Sequence, residues 1–344
     1  MKKTKNFIYY SIIIFFFIIF IELCSFLSLN YFKVKEIFNV RDFTEILDNK
    51  KITLKKNYKV DYPKENWSVI TSLKRTRISK DEIDLNKIDN QNTSKILFIG
   101  DSVPFGWGVD AENSLPNIFD KLNDGLISVN GAIPSFEIKQ SVDRLRLEFK
   151  DILNVKYIYF QIYDPVSQYS SLGARWKPGD NWTNSDKLLL REIEDSFPNI
   201  NIAFYGEPNI YALIKKIALK KHFKFPWTTK DNDPNLESDE NYKNYIRSQL
   251  RNLLEISNSM KAKLILAPVT INPKFIKEFS INHLKAINML NKIFKDFSKK
   301  NYLIYFDTVL ILSDISEDNF IDACCHLSSK GANKLAQELN KIIK

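Results

Sequence analysis

Two short segments of the chain carry residue types that could together perform nucleophilic catalysis. In the first, the apolar run Ile96–Ile99 indicates a buried strand, and the small and turn-forming residues that follow end it abruptly. Ser102 comes just after this strand end, near Gly106 and Gly108, where a missing side chain lets other atoms approach the backbone closely. A serine in this position is well placed to be a nucleophile. The alternative interpretation is an ordinary turn from a strand into a loop.

The second segment lies near the C-terminus and contains His326, preceded by Asp322. An imidazole that acts as a general base needs a nearby carboxylate to fix its tautomer and to stabilise its protonated form. The other two histidines are predicted to be structural or surface groups, because His222 lies among lysines and His283 lies on a helical pattern. His326 is therefore the histidine whose surroundings favour a role in catalysis.

Together, these segments resemble the SGNH (GDSL-type) hydrolase superfamily, and the resemblance runs from about Ser94 to the C-terminus. The first block of that family matches Gly100–Ser102 followed by Gly106–Val109, and the last block matches His326–Ser328 followed by Gly331. The resemblance implies that the serine of the first block is the acyl-accepting nucleophile, which here is Ser102. It also implies that His326 is the general base.

The acid of the last block departs from the family pattern. The family has an aspartate three residues before the histidine, whereas that position holds Ala323 and the aspartate is Asp322. A bulge of one residue in the loop would restore the contact, so we assign Asp322 as the orienting acid. Asp307, which follows the fifth predicted strand, is a weaker substitute.

The predicted oxyanion site departs from the family in two places. Where the second block has a glycine two residues after an asparagine, this chain has Ala132, whose backbone N–H could still be a donor together with that of Ser102; Gly131 is a further candidate or serves the turn. Where the third block has an asparagine donor, the chain has Tyr163 in the sequence Gln161–Asp164. Losing one oxyanion donor costs roughly 3–4 kcal/mol in comparable sites. The enzyme would then be slower, use Tyr163 or Gln161 differently, or have moved away from hydrolysis.

Strand and helix patterns alternate after residue 94, which is typical of parallel strands joined by right-handed crossovers. We predict a three-layer α/β/α sandwich with a parallel, doubly wound sheet. The predicted strands are Lys95–Ile99, Leu126–Val129, Lys156–Ile162, Lys263–Pro268 and Tyr302–Phe306. The predicted helices are Ser114–Leu122 with Asn113 as its cap, Phe136–Phe149, Ile281–Lys299 and Gly331–Ile343.

About a hundred residues separate the third and fourth predicted strands, far more than one crossover requires. We interpret residues 165–260 as an insertion over the carboxyl edge of the sheet, where ligands bind in open α/β folds. It contains a tryptophan-bearing loop, Arg175–Trp182, whose tryptophans either anchor the loop or stack on sugar rings. Helices are predicted near Ile210–Lys221 and Asn241–Met260.

The N-terminus predicts a membrane anchor. Lysines precede an apolar run from Phe7 to Leu29, and about 20 such residues can span a bilayer as a helix. A cleaved signal peptide is the alternative, but no convincing cleavage site follows. We predict an anchor over residues 1–30, a stalk and lead-in segment over residues 31–93 with some packing onto the main domain, and the SGNH-like domain over residues 94–344. The basic residues before the span favour a cytoplasmic N-terminus and an extracytoplasmic domain.

Composition restricts the remaining function classes. With 44% hydrophobic residues in 344, the chain can form a sizeable core. The net charge of +9 comes from lysines spread over the whole sequence rather than clustered, and no nucleic-acid-binding pattern is present, so we expect no nucleic-acid partner. The cysteines Cys24, Cys324 and Cys325 are a poor basis for a disulfide framework or a zinc site, and we expect free or partly buried thiols. No motif demands a metal or an organic cofactor.

These observations together predict a membrane-anchored serine esterase. Its substrate would be an ester-bearing small molecule or an acylated glycan, such as extracytoplasmic polysaccharide carrying O-acetyl groups. Two alternatives remain open at this point. The chain could be an O-acyltransferase that passes the acyl group to an envelope glycan, or an inactive SGNH-like protein that binds a glycan without turnover.

Overall fold

The computed structural model describes residues 10, 13–24, 42–47, 52–62, 66–80, 92–134, 136–162, 235–268 and 270–343. The chain divides into two units, Met1–Asn39 with Trp182–Pro226 and Val40–Asn181 with Trp227–Lys344. In the first unit, residues 13–24 are helical. Among the residues that the structure describes, no helix has both the length and the apolar character needed to cross a bilayer. The rest of the predicted span lies outside the described residues.

The second unit is built around a mixed eight-stranded sheet. The strands of the described residues are β1 (Thr44–Ile46), β2 (Ile52–Leu54), β3 (Lys59–Tyr62), β4 (Trp67–Thr71), β5 (Arg77–Ile78), β6 (Lys95–Gly100), β7 (Ile127–Asn130), β8 (Val155–Gln161), β9 (Lys263–Ala267) and β10 (Ile304–Tyr305). The sheet order is β10-β9-β8-β6-β7-β5-β4-β3, while β1 and β2 form a separate antiparallel pair.

The parallel half of this sheet corresponds to the five predicted strands. The strands β7, β6, β8, β9 and β10 are all parallel, and β6 is fully buried between β7 and β8. Its residues form a near-continuous apolar run because helices cover both faces of a parallel sheet. The order of these five strands reverses direction at β6, so right-handed crossovers place helices on both sides.

Most of the helices that cover the sheet were predicted, and their boundaries shift by at most two residues except at the end of the predicted helix Phe136–Phe149. They are α1 (Ser102–Phe105), α2 (Leu115–Leu122), α3 (Ile138–Arg144), α4 (Glu240–Ser259), α5 (Ile281–Lys300), α6 (Thr308–Ile311) and α7 (Ser329–Ile343). Ser114 rather than Asn113 holds the cap position of α2, because Asn113 ends a short 3₁₀ turn. The predicted helix Phe136–Phe149 begins later and ends in a π-turn, Leu145–Phe149.

Three further strands correct the prediction of a wholly parallel sheet. From the predicted lead-in segment, β3, β4 and β5 extend the sheet beyond β7, and all their pairings are antiparallel. The strand β4 is buried along its whole length. The segment before residue 94 therefore contributes to the core sheet as well as leading into it. The reason is that a short hairpin can pair with the exposed edge of β7 without any crossover helix.

Only the last part of the predicted insertion lies among the described residues. It contains α4, which matches the predicted helix Asn241–Met260 closely. Leu250 and Leu253 on α4 belong to the hydrophobic core of the second unit, so this helix packs as a regular layer element. The tryptophan-bearing loop Arg175–Trp182 and the predicted helix Ile210–Lys221 lie outside the described residues.

Candidate active site

Ser102 lies at the carboxyl edge of the sheet, directly after the central strand β6. It is the first residue of α1, a single helical turn, and Asp101 caps that turn by accepting a hydrogen bond from the N–H of Val103 at 3.2 Å. The cap fixes where the helix begins, which fixes the direction in which the Ser102 side chain leaves the backbone. Ser102 is 9% exposed, so its hydroxyl lies at the border between the core and the solvent.

His326 lies on a closed loop, residues 319–328, which comes directly before α7 and which we call the histidine loop. Phe320 and Leu327 form an antiparallel bridge, and the N–H of Ile321 donates to the carbonyl of His326 at 2.9 Å. Just outside this bridge, the N–H of Ser328 donates to the carbonyl of Asn319 at 3.0 Å. These bonds close the loop at its base and hold Asp322 and His326 on the same turn.

Asp322 divides its two carboxylate oxygens between two tasks. Oδ1 accepts the backbone N–H groups of Cys324, Cys325 and His326 at 3.0, 3.0 and 3.2 Å. Oδ2 lies 2.5 Å from Nδ1 of His326. The backbone wraps around the first oxygen and so accommodates the extra residue between the aspartate and the histidine. Ala323, at the position of the family's aspartate, is buried, and its methyl group cannot accept a hydrogen bond from His326.

The contact with His326 also determines the protonation of Asp322. Burial by itself raises the pKa of the carboxyl group, but the hydrogen bond and charge of His326, together with the N–H groups of Cys325 and His326, outweigh it. The pKa of Asp322 is lowered as a result. The carboxylate is ionised at neutral pH and can hold the imidazole with Nδ1 protonated.

His326 completes a chain of three side chains by reaching Ser102. Its Nε2 atom lies 2.9 Å from Oγ of Ser102, across 224 residues of sequence. When Nδ1–H donates to Asp322, Nε2 is left as the acceptor for the Ser102 hydroxyl proton. The structure therefore brings together the three residues that the sequence predicted as nucleophile, base and acid.

Asp307 does not take part in this arrangement. Its side chain caps α6 by accepting the N–H of Leu310 at 3.1 Å. His283 is also away from the site: it is buried on α5 beside Phe279, with 5.0 Å between the ring centroids. His222 lies outside the described residues.

One positioning residue of the histidine loop was missed by the sequence. Asn272 donates from Nδ2 to the carbonyl of Asp322 at 2.7 Å, and its own N–H donates to the carbonyl of Cys324 at 2.7 Å. It therefore ties the histidine loop to the loop that follows β9. The dipeptide Asn272–Pro273 marks a turn in the sequence, but nothing there shows what the side chain contacts.

The candidate oxyanion donors have different surroundings. The N–H of Gly131 donates to the carbonyl of Phe98 at 2.9 Å, which continues the pairing of β6 with β7 and occupies this donor. The N–H of Ala132 faces Oδ1 of Asn130 at 3.3 Å, a long hydrogen bond. Gly131 is accordingly a turn residue rather than a donor. Tyr163 lies outside the described residues.

Gln161 is committed to the sheet. Its Nε2 donates to the carbonyl of Pro268 at 3.0 Å, and its Oε1 accepts the hydroxyl of Tyr159 at 3.0 Å. Burial raises the pKa of Tyr159, and the charge of Asp101 raises it further, so this hydroxyl stays protonated and remains a donor. The side chain of Gln161 therefore joins the ends of β8 and β9 through one N–H and its carbonyl oxygen.

The cysteines differ in part from the prediction of free thiols. Cys24 is free and exposed, whereas Cys324 and Cys325 are joined by a disulfide and are both buried. The pair belongs to the turn that wraps around Asp322. In the described part of the chain, no group of three or more histidine, cysteine, aspartate or glutamate side chains is arranged to hold a metal ion.

Comparisons with known proteins return similar structures only. No family model and no curated protein matches the chain. The chain is similar to a lipolytic protein of the G-D-S-L family from Veillonella parvula, with 10% identity, a TM-score of 0.45, and 73% of this chain and 98% of the other covered. It is similar to a carbohydrate acetylesterase from Sinorhizobium meliloti, with 11% identity, a TM-score of 0.43, and 73% and 98% covered.

A third similar structure is a lipase/acylhydrolase from Enterococcus faecalis, with 13% identity, a TM-score of 0.40, and 73% of this chain and 95% of the other covered. The first of these three proteins carries the name of the G-D-S-L family that the sequence motifs resemble. Similarity of this degree assigns neither an activity nor a substrate to the chain.

Proposed function

We propose that the protein is a serine ester hydrolase of the SGNH (GDSL-type) superfamily, with Ser102 as nucleophile, His326 as general base and Asp322 as orienting acid. The observation that supports this proposal is the hydrogen-bonded chain from Asp322 through His326 to the Ser102 hydroxyl, at 2.5 and 2.9 Å. A nucleophile, a base within hydrogen-bond reach and a third group that orients the base are the parts that acyl transfer to serine requires.

In the proposed reaction, Oγ of Ser102 attacks the ester carbonyl carbon while Nε2 of His326 takes the hydroxyl proton. The tetrahedral intermediate collapses as His326 returns that proton to the leaving alcohol, and the acyl group stays on Ser102. A water molecule then attacks the acyl group, and His326 takes a proton from the water. The second collapse releases the carboxylic acid and gives the proton back to Ser102.

The developing oxyanion needs donors that point toward it. The proposed donors are the backbone N–H groups of Ser102, at the start of α1, and of Ala132. The weak contact of the Ala132 N–H with Asn130 supports this role, since a bond of 3.3 Å costs little to exchange for a charged acceptor. Tyr163 remains a third candidate.

For the substrate, we propose a short acyl ester such as an O-acetyl group on extracytoplasmic polysaccharide. An anchor over residues 1–30, with the N-terminus in the cytoplasm, would hold the catalytic domain on the side of the membrane where such polymers lie. The apolar run from Phe7 to Leu29 supports the anchor. With a sugar hydroxyl in place of water in the second step, the same residues would perform O-acyl transfer.

The test uses the full chain, purified in detergent. The parent should react with a fluorophosphonate probe and hydrolyse p-nitrophenyl acetate, and Ser102→Ala should do neither, because the probe bonds to the nucleophilic oxygen. Thr308→Ser is a suitable control, since Thr308 is buried and serine keeps the hydroxyl that bonds to Thr270 and to the carbonyl of Pro268. A parent that is neither labelled nor active would contradict the proposal and favour a glycan-binding protein.

A second assay separates hydrolysis from transfer. The parent is incubated with p-nitrophenyl acetate, with and without a chito-oligosaccharide acceptor, and the products are followed by mass spectrometry. Hydrolysis yields acetate in both mixtures. Transfer yields an oligosaccharide heavier by one acetyl group. Detection of that product would show that the protein is an acyltransferase rather than a hydrolase.

A further inference from the structure

Trp107 contacts both reacting residues of the proposed site. Its backbone N–H donates to the carbonyl of Ser102 at 3.0 Å. Its indole ring lies against the imidazole of His326, with 5.6 Å between the ring centroids and 21° between the ring planes, which is a stacked arrangement. The nucleophile and the base are therefore linked by a third residue that the hydrogen-bonded chain does not include.

The turn around Trp107 depends on two glycines and is closely packed. Gly106 and Gly108 flank it with φ of 83° and 80°, a region that side chains other than glycine rarely adopt. A Cβ atom at Gly106 would lie 2.5 Å from Cβ of Ser114, and one at Gly108 would lie 2.2 Å from Cδ1 of Ile321. The turn thus carries its one large side chain toward His326 with closely packed neighbours on both sides.

A buried arginine binds the backbone of this turn. It comes from the hairpin β4–β5 of the predicted lead-in segment, which we call the lead-in hairpin. Arg77 of β5 donates from Nη1 to the carbonyls of Phe105 and Gly106 at 2.7 and 2.5 Å, and from Nη2 to that of Val109 at 2.5 Å. Burial lowers the pKa of Arg77 to about 9, even though the charges of Asp110 and Glu112 counter part of this effect. The guanidinium is therefore charged at neutral pH. A charged group with five donors suits a cluster of carbonyl oxygens that a neutral side chain could not satisfy.

The neighbouring strand β4 supplies further contacts. Trp67 lies 6.1 Å from the ring of Trp107 and 5.6 Å from the guanidinium carbon of Arg77. Ser68 donates from both its N–H and its hydroxyl to Asp110, each at 2.8 Å. The hairpin β4–β5 therefore contacts three parts of the turn, which are the indole ring of Trp107, the backbone carbonyls bound by Arg77 and the carboxylate of Asp110.

We propose that Trp107 is a positioning residue for the general base, held against His326 by Arg77 and Trp67 of the lead-in hairpin. The proposal rests on the function proposed above. The indole ring limits rotation of the imidazole between Asp322 and Ser102, and its π-face stabilises the imidazolium that forms as His326 takes the serine proton. Because this cation exists in the transition state more than in the ground state, the ring acts on kcat rather than on KM.

The test compares Trp107→Phe and Trp107→Leu with the parent, as full chains in detergent, using p-nitrophenyl acetate. Trp107→Leu removes the ring and should lower kcat about 10-fold, with KM unchanged within about 2-fold. Trp107→Phe keeps an aromatic face and should stay within about 3-fold of the parental kcat. Tyr302→Leu removes an aromatic ring that is 97% exposed, and it should change neither constant.

Thermal unfolding distinguishes positioning from general packing. The expected result is a kcat difference between the two Trp107 variants at closely similar Tm. If Trp107→Leu does not fold, Trp107→Gln replaces it, since the residue is half-buried and tolerates a polar side chain of similar reach. A parental kcat in the ring-deficient variant would overturn the proposal, as would equal losses in Trp107→Phe and Trp107→Leu. Those outcomes leave the esterase intact, whereas a parent that is neither labelled nor active overturns the function itself.

Discussion

The carboxylate of Asp322 sets the geometry of the site, because it orients His326 and shapes the histidine loop. One oxygen orients His326, and the other collects three backbone N–H groups of the same loop. Hydrogen bonds to a charged acceptor are about twice as strong as neutral ones, so this single side chain both shapes the loop and holds the base. The spacing of four residues between acid and base is possible because the loop is wound around the acid.

Asp322→Asn should therefore impair turnover much more than it impairs folding. The amide introduced by this change can still accept the loop N–H groups through its oxygen, but it presents an N–H₂ group to Nδ1 and favours the wrong tautomer of His326. We expect kcat to fall about 10³- to 10⁴-fold, as measured with p-nitrophenyl acetate.

The matched control is Asp307→Asn. This change keeps the cap of α6, because asparagine caps a helix about as well as aspartate, so kcat should stay within about 2-fold of the parent. A larger loss at Asp307 than at Asp322 would mean that the orienting acid has been assigned to the wrong residue.

At the scale of single residues, the sequence was most informative where a side chain performs chemistry through its own functional group. Ser102, Asp322 and His326 stand out by type and spacing, and the structure places their side chains in contact. Arg77 and Asn272 could not be found in this way, because they bind backbone carbonyls. Every residue offers a carbonyl, so only the path of the folded chain shows which ones meet a donor.

At the scale of elements, the alternating pattern predicted the five parallel strands and the helices between them. The strands β6, β8 and β9 are apolar runs of five to seven residues, and the long helices have a clear period. The strands β3, β4 and β5 have two to five residues and bury several polar side chains, among them Ser68, Thr71 and Arg77. Such a composition resembles a loop in sequence, and it becomes a strand only because β7 offers an edge for pairing.

The junction between the histidine loop and α7 depends on one close approach. Gly331 lies in the first turn of α7, and a Cβ atom there would lie 2.1 Å from the carbonyl oxygen of Asn319 and 2.9 Å from its carbon. The neighbour is backbone rather than the tip of a flexible side chain. A side chain at residue 331 would therefore push the histidine loop away from the helix.

Gly331→Ala should destabilise the protein although alanine is the better helix former. The gain in helix propensity is about 1 kcal/mol, whereas overpacking against backbone costs typically 1–3 kcal/mol and adds strain at the loop. We expect a lower Tm together with a reduced kcat. Gly125→Ala is the control, because its Cβ would meet only Oδ1 of Asn123 at 3.6 Å, and both Tm and kcat should be unchanged. A stabilised Gly331→Ala protein would contradict this view of the junction.

At the scale of the whole molecule, the catalytic unit begins before the first catalytic motif. The lead-in hairpin pairs with the core sheet and contacts the turn that carries Trp107. The buried side chain of Arg144 adds another link, because it donates to the hydroxyl of Thr53 on β2 at 3.1 Å and to the carbonyl of Arg75. The boundary near residue 94 is thus one of sequence resemblance, and the folded unit extends on both sides of it.

The proposed anchor makes a prediction at this scale. The full chain should sediment with membranes, resist extraction by alkaline carbonate and dissolve in detergent. Replacing both Phe16 and Ile18 by lysine should release it, since each lysine at the centre of a span costs about 2.5–3.5 kcal/mol. Tyr302→Lys places one lysine on an exposed site of the other unit and should leave the chain with the membranes. A parent chain found in the soluble fraction would contradict the anchor.

The sequence separation of 224 positions from Ser102 to His326 has a consequence for when the protein can act. Ribosomes make the serine long before the imidazole that must take its proton. A growing chain, or one cut short by a premature stop codon, carries a serine no more reactive than any other alcohol. The serine is activated only after α7 and the loop before it have been synthesised and have packed onto the sheet. An incomplete chain therefore does not hydrolyse esters near its site of synthesis.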